Sequence, residues 1–270
     1  MDFTIATFYY FVELSNYYDM KDEIKTACDN FGLKGTILLA EEGINATISG
    51  TKDAINNIFN FLHSDPRLKD LTWKESYAAY QPFSKMKVRL KREIVNLGVN
   101  GLDISLRGEY LEPEHWDDFT SRPDVLVIDT RNEYEVKLGK FKNAIDPKTQ
   151  CFRDFSQWAK SLTENKNLKI AMYCTGGIRC EKSTAYMKSI GFKDVYHLKG
   201  GILSYLEKNK NKNNTWEGEC FVFDDRVAVD SSLIPSDKIK CISCSNQVST
   251  DELKSVPRGQ VICVNCKSSI

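Results

Sequence analysis

With 270 residues, 37 basic and 37 acidic side chains and no formal net charge, the chain can hold two or more cores but has no global positive field, so any nucleic-acid contact must come from a local patch. Nine cysteines, an odd count, argue against a disulfide framework or a disulfide-linked partner and for a reducing compartment. The first twenty residues carry Asp2, Glu13 and Asp19 without a signal-peptide pattern, and no apolar run reaches membrane-spanning length. A cytoplasmic protein with no membrane partner is therefore expected.

Residues 1–100 read as a small α/β domain. Phe3, Ile5, Thr7 and Tyr9 alternate as in a strand, and Met20, Ile24, Ala27, Cys28 and Phe31 then recur at helical spacing up to a stop at Gly32. Residues 36–40 form an apolar strand, 41–45 a turn and 46–49 the returning partner. A second helix follows, with Ala54, Ile55, Ile58, Phe59 and Leu62 on one face. Strands over 71–77 and 86–97 close the unit. The order β-α-β-β-α-β predicts a ferredoxin-like α+β domain. In the last strand Lys85, Lys87, Arg89 and Lys91 alternate with Met86, Val88 and Leu90. Two readings are open: four cations offered to a phosphate backbone, or an edge strand guarded by lysines against aggregation.

Residues 101–122 connect to the next domain, with a helix start at Pro113. Residues 123–215 predict a parallel α/β domain. The run 125–128 (VLVI) is a strand buried on both faces, ending in Asp129-Thr130-Arg131, a pair expected to fix neighbouring loops. His197, inside a strand pattern, is expected in the core. Residues 169–173 form the strand that delivers Cys174, residues 183–190 the helix after it, and 195–198 a further strand. A thiol at a strand end, followed by a glycine turn and a helix N-terminus, is a setting that favours the thiolate. Thr175, Gly176, Gly177, Ile178 and Arg179 are the candidate cradle for sulfur or an anion, with Arg179 expected at its rim. Four residues separate Cys174 from Arg179. Cysteine phosphatases need five to surround a tetrahedral phosphate, so this smaller loop suits a sulfane sulfur and resembles the active-site loop of rhodanese domains. Cys180, near the first helical turn, is the candidate redox partner; a packed cysteine is the other reading.

After a polar run at 208–215 (KNKNKNNT), residues 216–270 hold Cys241-x-x-Cys244 and Cys263-x-x-Cys266 with eighteen residues between the pairs. Four thiolates on two knuckles suit tetrahedral, structural zinc in a zinc-ribbon-like module, which would make up for a segment too small for its own core. Two unliganded or redox pairs are the alternative.

In combination the motifs GTILLAEEGIN (35–45), FSKMKVRLK (83–91), YCTGGIRCEK (173–182), HLKGGI (197–202), FDDRV (223–227) and the four C-terminal cysteines resemble those of the rhodanese-related tRNA uridine hydroxylases (TrhO), over nearly the whole chain. Ala46, where glycine commonly stands, and Lys140, where arginine or histidine is usual, depart from that pattern without touching the cysteine loop. The resemblance implies oxygen-dependent 5-hydroxylation of the wobble uridine, with tRNA as partner and molecular oxygen as co-substrate. Cys174 would be the active, persulfide-bearing cysteine, and the first domain with its basic strand would hold tRNA. No nucleotide-cofactor fingerprint is present, and three histidines in all offer no facial triad. Attack of Cys174 on uracil C6, or oxygen carried by an oxidised cysteine or persulfide, are the chemistries considered. The rival readings are a sulfurtransferase donating persulfide sulfur to a small acceptor or to tRNA thiolation, and a non-catalytic RNA-binding protein. The sequence specifies no oligomeric state.

Overall fold

The structure is a computed structural model that describes residues 3–162, 168–210 and 214–236, with Cys241, Ser243, Asn246, Val248, Cys263 and Cys266 beyond them. The chain divides into two compact units, Met1–Asn96 and Leu97–Ile270. No helix among the described residues is long and apolar enough to cross a membrane.

The first unit runs β1 (Phe3–Phe11), α1 (Tyr17–Asn30), β2 (Lys34–Ala40), β3 (Gly43–Gly50), α2 (Lys52–His63), β4 (Lys74–Ala78) and β5 (Met86–Leu90). Its sheet has the order β4-β1-β3-β2-β5, the ferredoxin-like arrangement with an added edge strand. Ala6 and Phe8 of β1, Ile37 and Leu39 of β2 and Ile44, Ala46 and Ile48 of β3 bury one sheet face. Ile24 and Cys28 of α1 and Ile55, Ile58, Phe59 and Leu62 of α2 share that core. Thr51 caps α2 by accepting from the Ala54 amide at 3.2 Å, and Gly32, at φ 69°, ends α1.

The turn between β2 and β3 is tighter than expected, because Ala40 already pairs with Gly43. The strand predicted over 86–97 stops at Leu90. Its ladder, parallel to β2, closes with the Lys91 amide donating to Leu39 at 2.8 Å. Side chains hold the chain beyond: Asn45 Nδ2 donates to the Ile94 carbonyl at 2.9 Å and the Ile94 amide to Glu42 at 2.7 Å.

The second unit contains β6 (Glu109–Leu111), α3 (Trp116–Thr120), β7 (Val125–Asp129), α4 (Glu133–Val136), β8 (Gly139–Phe141), α5 (Phe155–Ser161), β9 (Lys169–Tyr173), α6 (Ile178–Ser189), β10 (Val195–Leu198), α7 (Gly201–Lys208), β11 (Trp216–Gly218), β12 (Cys220–Phe221) and β13 (Ala228–Val229). β6-β10-β9-β7 form an all-parallel sheet, so the segment 101–122 supplies an edge strand. Trp116, Phe141, Tyr173, Tyr205 and Trp216 fill one of its cores. Asp129 pairs with Tyr173 in register, which places both strand ends at one level, and Cys174 follows directly. This is the carboxyl edge where open α/β sheets carry their sites. β11 pairs with β8, and β12 with β13 in a hairpin.

Candidate active site

Cys174 is 1% exposed and its backbone is pinned from two sides. Its carbonyl accepts from the Ile202 amide at 3.0 Å, and the Thr175 carbonyl from Leu203 at 3.1 Å. That contact with the first turn of α7 dictates glycine at position 201. A Cβ there would lie 2.4 Å from the Cys174 oxygen, and φ is +67°. The HLKGGI motif is therefore the second wall of the cysteine loop.

On the other side Gly177, at φ 99°, turns the chain into α6 and its amide donates to Cys174 Sγ at 3.1 Å. Gly176, by contrast, lies outside the left-handed region, and a Cβ on it would meet nothing within 4 Å. Ile178 opens α6, five residues earlier than the helix start predicted at 183, so Arg179 and Cys180 lie in its first turn.

Arg179 is not a rim residue. It is 6% exposed, and its guanidinium grips Glu135 with two bonds, Nη1 to Oε2 at 2.6 Å and Nη2 to Oε1 at 2.7 Å. Nη2 also reaches Thr175 Oγ1 at 3.3 Å, and Thr175 Oγ1 donates to Glu135 at 3.2 Å. Glu135 additionally accepts from the Asn132 amide at 3.1 Å, one half of a capping box. Burial raises the Glu135 pKa, but Arg179 and then Arg131 outweigh it and hold the carboxyl below its usual range. Beside it Arg131 and Asp129, both fully buried, pair at 2.6 Å, and Arg131 also donates to the Gly139 carbonyl at 2.6 Å. This pair binds strand end to loop.

These groups decide the state of the thiol. Burial alone raises the Cys174 pKa. The Cys180 thiol, the Arg179 charge and the amides of Arg179 and Gly177 reverse that and bring it from 9.0 down to about 6. Cys180, also buried, goes the other way: desolvation and the neighbouring Cys174 anion push it well above the usual thiol value, and it lies 3.6 Å from Thr130 Oγ1. At neutral pH the pair is one thiolate and one thiol donor. His197 is buried and stacks on Tyr110 at 4.4 Å, and desolvation drops its pKa to about 4, so it is neutral.

Sequence reasoning missed three residues. Glu135 was visible only as the end of an Asn132-x-x-Glu135 capping pattern. Gly201 was seen within a motif but without a role. Phe223, in the β12–β13 hairpin, is 45% exposed with its ring centroid 5.8 Å from the Arg179 guanidinium carbon; nothing in its own segment announces that neighbour.

The remaining candidates lie elsewhere. Lys85, Lys87, Arg89 and Lys91 belong to the first unit, on and beside edge strand β5. Met86 and Val88 are buried in the core, Lys87 is half-buried, and Lys85, Arg89 and Lys91 are exposed. The sulfurs of Cys241, Cys263 and Cys266 lie within 4.8 Å of one another, and the Cys263 amide donates to Cys241 Sγ at 3.3 Å. Zinc at about 2.3 Å from each thiolate sets sulfurs about 3.8 Å apart, so these three fit such an ion. Cys244 lies outside the described residues. Val227 and Ala228 of the hairpin, with Leu138, pack on this cluster.

A parallel sheet with a cysteine–glycine–arginine loop at its carboxyl edge defines a rhodanese-like domain. The family model described as rhodanese-like domain matches residues 113–208 and that described as UPF0176 acylphosphatase-like domain matches residues 3–94. Over 267 residues the chain is 80% identical to a tRNA uridine(34) hydroxylase of Wolbachia pipientis wMel, covering 99% of this chain and 97% of that one. It is 56% identical over 269 residues to the protein of the same name from Anaplasma marginale (strain St. Maries), again 99% and 97% covered. A solved rhodanese-like domain from Anabaena sp. aligns with 40% of this chain and 78% of its own, at 21% identity and a TM-score of 0.35. The chain belongs to the family of the tRNA uridine(34) hydroxylases.

Proposed function

We propose that this protein hydroxylates C5 of the wobble uridine of tRNA, with molecular oxygen as co-substrate and Cys174 as the reacting atom. The observation that carries the reading is the end-to-end match, at 80% identity, to a relative named for that activity. The geometry supports a role for the loop. With its pKa at about 6, Cys174 is a thiolate at neutral pH and is the chain's best-activated nucleophile among the described residues. Addition of a thiolate to uracil C6 pushes an electron pair towards C5 and O4, which makes C5 reactive towards an oxidant; loss of the C5 proton and expulsion of the thiolate restore the ring.

Placing one atom of dioxygen on C5 and releasing the other as water consumes two electrons and two protons. The Cys174 thiolate and the Cys180 thiol can furnish the two electrons by closing to a disulfide, with one proton from Cys180 and the other from solvent, and a cellular thiol then reopens the disulfide. The net change is uridine, dioxygen, one thiolate, one thiol and one proton to 5-hydroxyuridine, water and disulfide. Residues 1–100, through Lys85, Lys87, Arg89 and Lys91, are assigned to the tRNA backbone, and Cys241, Cys244, Cys263 and Cys266 to a structural zinc ion.

The test is nucleoside mass spectrometry of tRNA from a host strain lacking 5-hydroxyuridine. Expression of the wild type is expected to restore the nucleoside, and Cys174→Ser to leave it absent. No 5-hydroxyuridine with the wild type, together with a Cys174-dependent gain of thiouridine, would replace the hydroxylase with a sulfurtransferase.

A further inference from the structure

Phe223 occupies an unusual position for a phenylalanine. It is one of few large apolar residues among the described ones with such exposure, at 45%, yet it is held rather than loose. The Val222 amide donates to the Val227 carbonyl at 2.8 Å and the Val227 amide to the Asp224 carbonyl at 3.0 Å. Between them Asp224 and Arg226 form a buried ion pair at 2.6 Å, with Arg226 Nε donating to Asp224 at 2.8 Å. Phe221 stands edge-on to Phe223 at 5.1 Å and to Tyr134 of α4 at 5.2 Å. A hairpin tip held by these bonds therefore presents an apolar ring to solvent at a fixed place.

That place is the cysteine loop. The ring lies over Arg179, which is bonded to Thr175 and Glu135 and helps to hold Cys174 as an anion. Phe223 also lies outside both matched segments, 3–94 and 113–208, so the chain adds this ring to a rhodanese-like domain from beyond it. A sulfur carrier needs no flat apolar surface at its mouth. An enzyme that must present a pyrimidine ring to a buried thiolate does, because every base has a π-face and a rigid aromatic ring is the common means of gripping it.

We propose that Phe223 is the base-stacking platform of this site, the surface on which the target uracil lies as its C5–C6 edge is offered to Cys174. The assignment rests on the tRNA uridine reading above. The other exposed ring of this unit with a nearby cation, Tyr110, is less suited: His197 stacks on it at 4.4 Å, and its hydroxyl donates to Glu181 at 3.0 Å.

The experiment uses the full chain and an anticodon stem-loop RNA carrying 5-iodouridine at the wobble position. After irradiation, peptide mass spectrometry is expected to find the crosslinked uridine on Phe223. A crosslink confined to Tyr110 or to any other residue overturns the assignment. In steady-state assays on tRNA, Phe223→Ala is expected to raise KM by roughly 5- to 150-fold, the range of one lost base–aromatic stack. Phe223→Trp and Phe223→Tyr should retain most of the wild-type value, and the pH midpoint of the Cys174 thiolate absorbance should stay unchanged in all three. Wild-type kinetics in Phe223→Ala, or a shifted thiolate midpoint that accounts for its loss, overturns the proposal. A Phe223 crosslink with no 5-hydroxyuridine from the wild type would keep the platform and sink the hydroxylase. Hydroxylation with no crosslink at Phe223 would do the reverse.

Discussion

Glu135→Gln separates the two jobs of the buried carboxylate. The native carboxylate accepts two bonds from Arg179, one from Thr175 and one from the Asn132 amide, at 2.6–3.2 Å. Glutamine keeps the shape but turns one acceptor oxygen into a donor and removes the charge. Arg179 is then a buried guanidinium without its counter-ion, with a donor facing a donor. Removing one partner of such a pair costs about 3–5 kcal/mol. At roughly 2–4 °C per kcal/mol for a domain of this size, melting should fall by roughly 6–20 °C. The thiol should respond in the opposite sense to a simple loosening. An uncompensated Arg179 stabilises the Cys174 anion more strongly, so its midpoint should fall below the native value of about 6. Ultraviolet thiolate absorbance against pH, with Cys174→Ser as the blank, reads the midpoint, and calorimetry reads the melting point. A folded Glu135→Gln protein whose midpoint stays at about 6 or rises, or whose stability drops by less than about 1 kcal/mol as for an exposed pair, would refute this account of the loop.

Gly201→Ala adds a left-handed alanine and a Cβ 2.4 Å from the Cys174 carbonyl; a loss of about 2–4 kcal/mol in urea denaturation is expected, against a change within about 0.5 kcal/mol for Gly176→Ala. The depressed Cys174 pKa means that the folded state binds fewer protons than the unfolded state between about 6 and 9, so stability gained through this group should rise across that window and disappear as pH falls through about 6. Above it the raised Cys180, with Cys28 and Cys220 held at about 12 by burial, should withdraw stability; the urea midpoint of wild type minus Cys174→Ser, followed against pH, checks the first window. Metal analysis of the full chain is expected to find about one zinc per molecule, lost in Cys241→Ser, with chelation lowering the melting temperature. Replacing Lys87 and Arg89 by Gln should weaken tRNA binding and make its log–log salt dependence shallower by about 1–2 in slope; an unchanged slope would remove β5 from the interface.

Much of the first unit was legible because its helices are amphipathic: Met20, Ile24, Ala27 and Cys28 of α1, and Ala54, Ile55, Ile58, Phe59 and Leu62 of α2, are buried as their spacing requires. The start of α6 was not, for a physical reason. From Arg179 to Met187 that helix is buried all round, with Glu181, Lys182, Ser183 and Thr184 inside, so no apolar stripe marks it and only the left-handed Gly177 signals its beginning. The end of β5 was misplaced because apolar residues continue to Leu97 while side chains take over the hydrogen bonding at Ile94. Cys174 was readable from its local setting. Glu135, 44 positions from Arg179, was not, because a buried ion pair leaves no periodic trace in either segment.

That ion pair also sets what the loop rejects. Arg179 is paired with Glu135 and Arg131 with Asp129, so once Cys174 ionises these buried side chains together carry a net negative charge in a low-dielectric setting. A phosphate or sulfate ion approaching them would meet repulsion instead of a waiting cation. An uncharged pyrimidine ring, or a sulfur atom without formal charge, meets none. An unpaired arginine in the same loop would instead leave a fixed positive charge beside the sulfur.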